Sequence, residues 1–277
     1  MTHDPRNEAD YSTRQTKAAH RVLVDVGQVL ASFADCLVVV GGWTPDLLLP
    51  DAEEPHVGSI DVDLALDAAK LKDGRYAELV KLLLDTRRYR CGEKPFQLVV
   101  AVDLKDGEPP VQVEVEFLAP KDVKLKKHKP KLLSDFRVLQ VESVIEAFHS
   151  PVEMQLQGQN VRGAANTVYL RVASLADFLV MKAHAIGGRD KPKDTYDLCY
   201  CLENHPGGMK GLAAVWRRRS QERNIVRAVA VLKEKFATVD AFGPQQLVEF
   251  HAAPDLETQA MHARRACEVV QRFLGLL

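Results

Sequence analysis

The sequence lacks any long hydrophobic run. No apolar stretch among its 277 residues approaches the roughly 18 residues that mark a membrane-spanning helix. Residues 1–10 carry Asp4, Arg6, Glu8 and Asp10 instead of the apolar core of a signal peptide. The sequence therefore predicts a cytoplasmic protein without a membrane span.

Cysteines at metal-binding spacing are lacking as well. The five cysteines make an odd number, and neither a Cys-x-x-Cys nor a His-x-x-x-His pair occurs. Cys199 and Cys201 lie in the apolar run 196–202, where free cysteines usually pack as core residues. This usage indicates a reduced compartment and argues against a zinc or disulfide scaffold.

Charge of one sign does not dominate, since 37 Lys and Arg stand against 38 Asp and Glu. This balance, with 46% hydrophobic residues, is typical of a soluble globular protein. Basic residues nevertheless cluster in two blocks. The first, residues 121–137, holds seven basic residues and two acids, and the second, residues 210–235, includes Arg217, Arg218 and Arg219. Such blocks are either solvated faces or surfaces that bind a polyanion.

Hydrophobic periodicity predicts a mixed half followed by a helical half. The first half should contain helices over 13–33, 43–49 and 76–89, and strands over 36–40, 60–66, 96–103, 111–118, 151–156 and 167–172. After Ser174, helices are predicted over 175–186, 194–203, 209–218, 223–236, 244–251 and 256–273. We therefore expect an α+β fold: a small mixed sheet with helices on one side in residues 1–172, and an α-helical domain in residues 173–277.

Two acids, Asp61 and Asp63, alternate with apolar residues in the predicted strand 60–66. Residues two apart in a strand point to the same face, about 6.5 to 7 Å apart. The same alternation in strand 111–118 puts Glu114 and Glu116 on one face. A neighbouring strand would bring either glutamate beside the aspartates, and Mg²⁺ prefers carboxylate oxygens. The alternative is that these acids merely solvate an exposed sheet face.

Glycines precede both the acid pair and a predicted helix. Gly58-Ser59 stands directly before the acids, where backbone N–H groups and a hydroxyl can bind phosphate oxygens. Gly41-Gly42 ends one predicted strand and opens the helix that follows, which makes a second anion site. The Gly-x-Gly-x-x-Gly fingerprint and the Walker phosphate loop are both absent. On its motifs the chain is neither a Rossmann nor a P-loop protein.

Lys182 is the only Lys or Arg in the predicted apolar helix 175–186. A cation in such a segment needs an anionic partner. One interpretation is a structural salt bridge to Asp194 or Asp197. The other is contact with the triphosphate of a nucleoside triphosphate. In that case Arg189 and Lys193 would add positive charge, and the two aspartates would fix the orientation of these cations.

In this order, these segments resemble the DNA polymerase β-type nucleotidyltransferase superfamily. The likeness is carried by Gly41-Gly42, by Gly58-Ser59-Ile60-Asp61-Val62-Asp63 and by Val115-Glu116-Phe117-Leu118. The segment from Lys182 to Leu198 narrows it to the AbiEii-type nucleotidyltransferase toxins of bacterial toxin–antitoxin systems. The resemblance spans about residues 36–202. The third acid, commonly Asp in the family, is here Glu116.

The resemblance implies a nucleotidyltransferase core, a following helical domain and an NTP-dependent toxin. Asp61, Asp63 and Glu116 would be its catalytic carboxylates and would hold two Mg²⁺ ions. The nucleotide-binding residues would be Gly41, Gly42, Gly58, Ser59, Lys182, Arg189, Lys193, Asp194 and Asp197. The implied partners are an NTP, an RNA acceptor such as a tRNA 3′ end held by the basic blocks, and a cognate antitoxin.

Two alternatives stay open. In the first, the acceptor is a small molecule, as in antibiotic nucleotidyltransferases, and substrate binding is insensitive to salt. In the second, the domain is inactive and binds a nucleotide without releasing pyrophosphate. His56, His149 and His184 have no partner identifiable from the sequence, and we expect ordinary surface or core roles for them.

Overall fold

A computed structural model describes residues 5–67, 69–71, 75–121 and 138–277. They form two compact units. The first, here called the sheet unit, comprises the described residues of Thr13–Thr44 and Ser59–Ser174. The second, the helical unit, comprises the described residues up to Ser12 together with Pro45–Gly58 and Leu175–Leu277. In the part of the chain so described, no helix is long and apolar enough to span a membrane.

The sheet unit is built on one mixed sheet, which has eight strands in the described residues. The strands are β1 (Leu37–Val40), β2 (Asp61–Leu66), β3 (Tyr89–Cys91), β4 (Gln97–Val102), β5 (Val111–Pro120), β6 (Leu139–Val141), β7 (Val152–Gln159) and β8 (Ala165–Val172). Their order is β3-β4-β5-β2-β1-β8-β7, and β6 pairs with the end of β5. The predicted α+β class with a mixed sheet is confirmed. The short strands β3 and β6 were not predicted.

The longest helix of the sheet unit, α1 (Thr13–Val29), packs against β5, β7 and β8. Its buried face includes Ala18, Val22 and Val26, which recur at the spacing of one helix face. The predicted helix 13–33 is shorter than expected, because a 3-10 helix over Ala31–Cys36 continues the chain into β1. Helix α3 (Arg75–Asp85) also belongs to this unit, whereas α2 (Trp43–Leu48) begins in it and continues into the helical unit from Pro45 on.

The helical unit contains all six helices predicted after Ser174. They are α4 (Leu175–Gly188), α5 (Pro192–Asn204), α6 (Gly208–Arg218), α7 (Arg223–Lys235), α8 (Phe242–His251) and α9 (Leu256–Leu274). Helix α5 begins two residues before its predicted start because a proline fits the first helical turn, where no N–H partner is needed. The domain boundary near residue 172 stays a prediction.

Helix α5 lies at the centre of the helical unit and packs against α4, α6, α8 and α9. Every residue from Pro192 to Leu202 is buried. Cys199 and Cys201 are accordingly buried thiols, as expected for core cysteines. Charged side chains on this helix are buried too, so each needs a compensating partner.

Candidate functional site

The acids of the sheet unit meet on two neighbouring strands. Strands β2 and β5 are parallel, and their register places Asp61 opposite Glu114 and Asp63 opposite Glu116. On β2 the acids are half-buried, and the intervening Val62 is fully buried. Adjacent strands are about 4.8 Å apart. The two strands therefore bring four carboxyl groups together on one face of the sheet.

The two glutamates differ in their surroundings. Gln97 Nε2 donates to Glu116 Oε1 at 3.1 Å, and Lys94 Nζ lies 3.2 Å from the same oxygen. Burial raises the pKa of Glu114; Lys94 opposes the increase, while the charges of Glu116 and Asp61 add to it. Carboxylates packed this closely favour a bound cation, and their oxygens form a donor set suited to Mg²⁺.

Residues that follow β1 or precede β2 support this face. Ser59 Oγ donates to Asp61 Oδ1 at 2.5 Å, and Trp43 Nε1 donates to the Asp61 carbonyl oxygen at 2.7 Å. Gly41 has a φ of +71°, and a Cβ at this position would overlap the carboxylate of Asp63. The chain needs glycine here both for its backbone conformation and for the space beside Asp63.

Gly41→Ala should disturb the acid group directly. The variant adds a methyl group against Asp63 and forces alanine into the left-handed region, which costs about 1 to 2 kcal/mol. We expect a small fall in melting temperature and a larger loss of divalent-cation binding, measured by calorimetry. Gly107→Ala is the matched control, since its φ is +85° and no atom lies within 4 Å of the added Cβ. Equal cation binding in the two variants would contradict this role for Gly41.

A second set of predicted residues forms an ionic cluster in the helical unit. Lys182 Nζ lies 2.7 Å from Asp194 Oδ1 and 2.6 Å from Asp197 Oδ2. Lys193 Nζ lies 2.6 Å from Asp197 Oδ1. Arg189 donates to both oxygens of Asp194, at 2.7 and 2.9 Å. Three cations thus surround two carboxylates.

Burial strengthens the electrostatic interactions among the charges of this cluster. Asp194, Asp197, Lys182 and Lys193 are all buried, whereas the Arg189 side chain is 54% exposed. Burial acts to raise the pKa of Asp197, but the charges of Lys182 and Lys193 outweigh it and hold the pKa well below its usual range. Burial likewise acts to lower the pKa of Lys182, and the two aspartates outweigh it. Both salt bridges considered for Lys182 are therefore present.

His56 has a partner that the sequence did not reveal. Its Nε2 lies 2.9 Å from Asp197 Oδ1, and its Nδ1 accepts a hydrogen bond of 3.0 Å from the Gly58 N–H. Since Nδ1 is an acceptor, the proton of the neutral ring lies on Nε2 and is donated to Asp197. Residues 54–57, which include His56, are held to α5 by two more hydrogen bonds. Tyr200 Oη donates to the Glu54 carbonyl oxygen, and the Val57 N–H donates to Tyr196 Oη.

His56 should make folding sensitive to acid. Burial, aided by Lys193 and Lys182 and opposed by Asp197, lowers its pKa to about 4. The ordinary value is about 6.5. Between these pH values the unfolded chain binds a proton that the folded chain does not, so acidification favours unfolding. Tyr196 and Tyr200, the other titratable groups against the ring, have raised pKa values and stay neutral there.

The test is denaturant unfolding of the wild type and His56→Gln between pH 7 and pH 4. The free energy of unfolding should fall less with acid in the variant, because glutamine does not titrate. Asp46, whose pKa is raised by burial to about 6, titrates in both proteins and cancels in the difference. An equally steep loss in the variant would show that His56 is not the acid-sensitive group.

The remaining predicted residues are placed as follows. Gly42 is buried, and the Gly58 N–H is bonded to His56. His184 Nε2 lies 2.9 Å from the Asn224 carbonyl oxygen, and His149 Nδ1 lies 3.2 Å from Glu146 Oε2. The structure thus brings the predicted residues together in two sets, one within each unit.

The two basic blocks seen in the sequence do not both form exposed positive surfaces in the described residues. In the first block, residues 122–137 lie outside the described residues, so only Lys121 is placed, and it is exposed. In the second block, Arg219 is bonded to Asp177 and Glu222, at 2.5 Å and 2.8–3.0 Å. Arg217 donates to the Leu276 carbonyl oxygen at 2.8 Å. Arg219 is therefore an internal ion-pair residue rather than part of a free basic surface.

Comparison with known proteins identifies a family. Residues 28–276 match the family described as nucleotidyl transferase AbiEii toxin, type IV toxin–antitoxin system. No curated protein matches the chain. Among solved structures, JHP933 from Helicobacter pylori aligns with 95% of this chain and 94% of that chain, at 12% sequence identity and a TM-score of 0.41.

Proposed function

The chain belongs to the AbiEii nucleotidyltransferase toxin family of type IV toxin–antitoxin systems, and on this basis we propose that it transfers a nucleoside monophosphate from an NTP to an RNA acceptor, the 3′ end of a tRNA. The observation that carries the proposal is the register of β2 and β5, which sets Asp61 and Asp63 beside Glu114 and Glu116. The reaction is Mg²⁺-dependent and occurs in the cytoplasm, and a cognate antitoxin opposes it.

Asp61, Asp63 and Glu116 are the residues that would hold Mg²⁺. When bound, a pair of such ions activates the attacking hydroxyl and stabilises the departing pyrophosphate. The chain itself prepares the face: the Gln97 amide and the Lys94 ammonium orient Glu116, and Ser59 orients Asp61.

The ionic cluster of the helical unit is proposed to bind the β- and γ-phosphates. Lys182, Lys193 and Arg189 supply the charge, and their carboxylate partners Asp194 and Asp197 orient them. Arg189 suits a phosphate contact best because half of its side chain is exposed and its guanidinium has five N–H donors, more than the two that bind Asp194.

Loss of one catalytic carboxylate should abolish transfer without unfolding the protein. In Asp61→Asn, Asp63→Asn or Glu116→Gln we expect labelling of tRNA from radiolabelled NTP and Mg²⁺ to fall at least about 100-fold, since a metal contributes several kcal/mol to the transition state. Apo stability should hold or rise slightly because a like charge is removed.

Glu114→Gln is the matched control and should keep its activity. If it is inactive while Glu116→Gln is active, the third ligand is Glu114. Near-wild-type transfer in both aspartate variants would contradict the proposed catalytic site. Nucleotide binding without pyrophosphate release by the wild type would show an inactive binding domain.

Lys182→Met tests whether Lys182 stabilises the fold, binds phosphate or does both. Removing one partner of a buried ion pair typically costs about 3 to 5 kcal/mol, so the apo melting temperature should fall by several degrees. If Lys182 also binds phosphate, the stabilisation by NTP and Mg²⁺ should shrink as well.

The control for Lys182→Met is Arg219→Met, which also deprives a buried carboxylate of the helical unit, Asp177, of its cation. It should lower the melting temperature but keep the full NTP-induced shift. A full NTP shift in Lys182→Met would leave Lys182 as scaffold, with phosphate contacts confined to Arg189 and Lys193.

A further inference from the structure

A groove of about 850 Å³ lies between α6, α9 and the end of α5 in the helical unit. We call it the α6–α9 groove. Its volume is within the range of ordinary ligand sites, about 300 to 1,000 Å³. Its lining includes the buried apolar residues Leu202 and Val269, while the charged side chains that line it are exposed.

The groove carries excess positive charge. Lys210, Arg264 and Arg272 line it, and none of the three has a carboxylate partner within 4.0 Å among the described residues. Arg264 and Arg272 are eight residues apart on α9, so they lie on the same side of the helix. Glu268 between them is a single opposing charge.

Two other charged residues of the groove neutralise each other. Arg265 is bonded to both carboxylate oxygens of Glu203, at 2.7 and 3.0 Å. This pair contributes no net charge, so the excess rests on Lys210, Arg264 and Arg272. These three are the residues available to an incoming anion.

The N-terminus of α6 adds to this potential. Gly207 and Gly208 line the groove where the helix begins. No side chain caps this helix, and its first turn holds no acid but does hold Lys210. A helix N-terminus already carries partial positive charge, so a lysine there is unfavourable unless an anion lies nearby.

No aromatic residue is among the described residues that line the groove. Sites that read single-stranded bases usually stack them on aromatic rings, whereas contacts to phosphates need only cations. We propose that the α6–α9 groove binds the phosphate backbone of the RNA acceptor, an inference that rests on the proposed function. Arg264 and Arg272 belong to neither of the basic blocks visible in the sequence.

The test compares two double variants in binding to labelled bulk tRNA over a range of salt concentrations, without NTP. In Arg264→Gln/Arg272→Gln the affinity at low salt should fall at least about ten-fold. The slope of log affinity against log salt should fall by about 1.4 to 1.8, the value for two lost phosphate contacts. The control, Lys17→Gln/Lys233→Gln, removes the same charge at exposed positions on α1 and α7 and should bind nearly as the wild type does.

Wild-type affinity and slope in the groove variant would overturn the proposal, as would an equal loss in both double variants, which would reflect net charge alone. A groove variant that keeps tRNA but loses binding to polyglutamate would mark a site for acidic protein and would also overturn it. Labelling of tRNA from NTP separates the two claims. If the wild type binds tRNA through the groove but labels no RNA, the proposed transfer is wrong and the groove assignment stands.

Discussion

The helical unit depends on one buried negative charge, the carboxylate of Asp197. An ionised group in the interior costs several kcal/mol unless it is paired. Lys182 from α4, Lys193 from α5 and the Nε2–H of His56 all compensate it. Because these partners come from three separate segments, α4, α5 and residues 45–58 must assemble together before the charge can be buried. The buried network therefore specifies this arrangement, whatever its net contribution to stability.

The acid group of the sheet unit follows the opposite electrostatic rule. Main-chain hydrogen bonds between β2 and β5 hold carboxylates directly opposite one another, an arrangement that normally destabilises a strand pair. Burial is the main cause of the raised pKa of Glu114, and the charges of Glu116 and Asp61 add to it. In the ionic cluster three cations compensate the two buried carboxylates, whereas the four carboxyl groups of the acid group would be stabilised by a bound cation. This difference favours the acid face as the centre of the chemistry, because folds keep such unfavourable charge groups mainly where function requires them.

Most helices and strands, and the acid-bearing face of the sheet, could be predicted from the sequence because they depend on local hydrophobic patterns. Alternation predicted the acid-bearing face of β2, and helical periodicity predicted all six helices that follow Ser174. The choice between Glu114 and Glu116 could not be made, because alternation puts both on one face and the structure sets each beside an aspartate. The role of His56 was equally hidden, since its partner Asp197 lies 141 residues away. Strands β3 and β6 have three residues each, too few for any period to appear.

A basic binding surface is even harder to predict from the sequence. The triplet Arg217, Arg218 and Arg219 is the most conspicuous basic feature after residue 200, yet Arg219 is neutralised by Asp177 and Glu222. Arg264 and Arg272 stand eight residues apart and form no visible cluster in the sequence, but a helix brings them to one side and leaves both without an ion pair among the described residues. A surface attracts an anion through cations that lack internal partners, and such partners are set by tertiary packing. Local density of basic residues along a chain is therefore a weaker guide to a binding surface than the pairing of each cation in the folded protein.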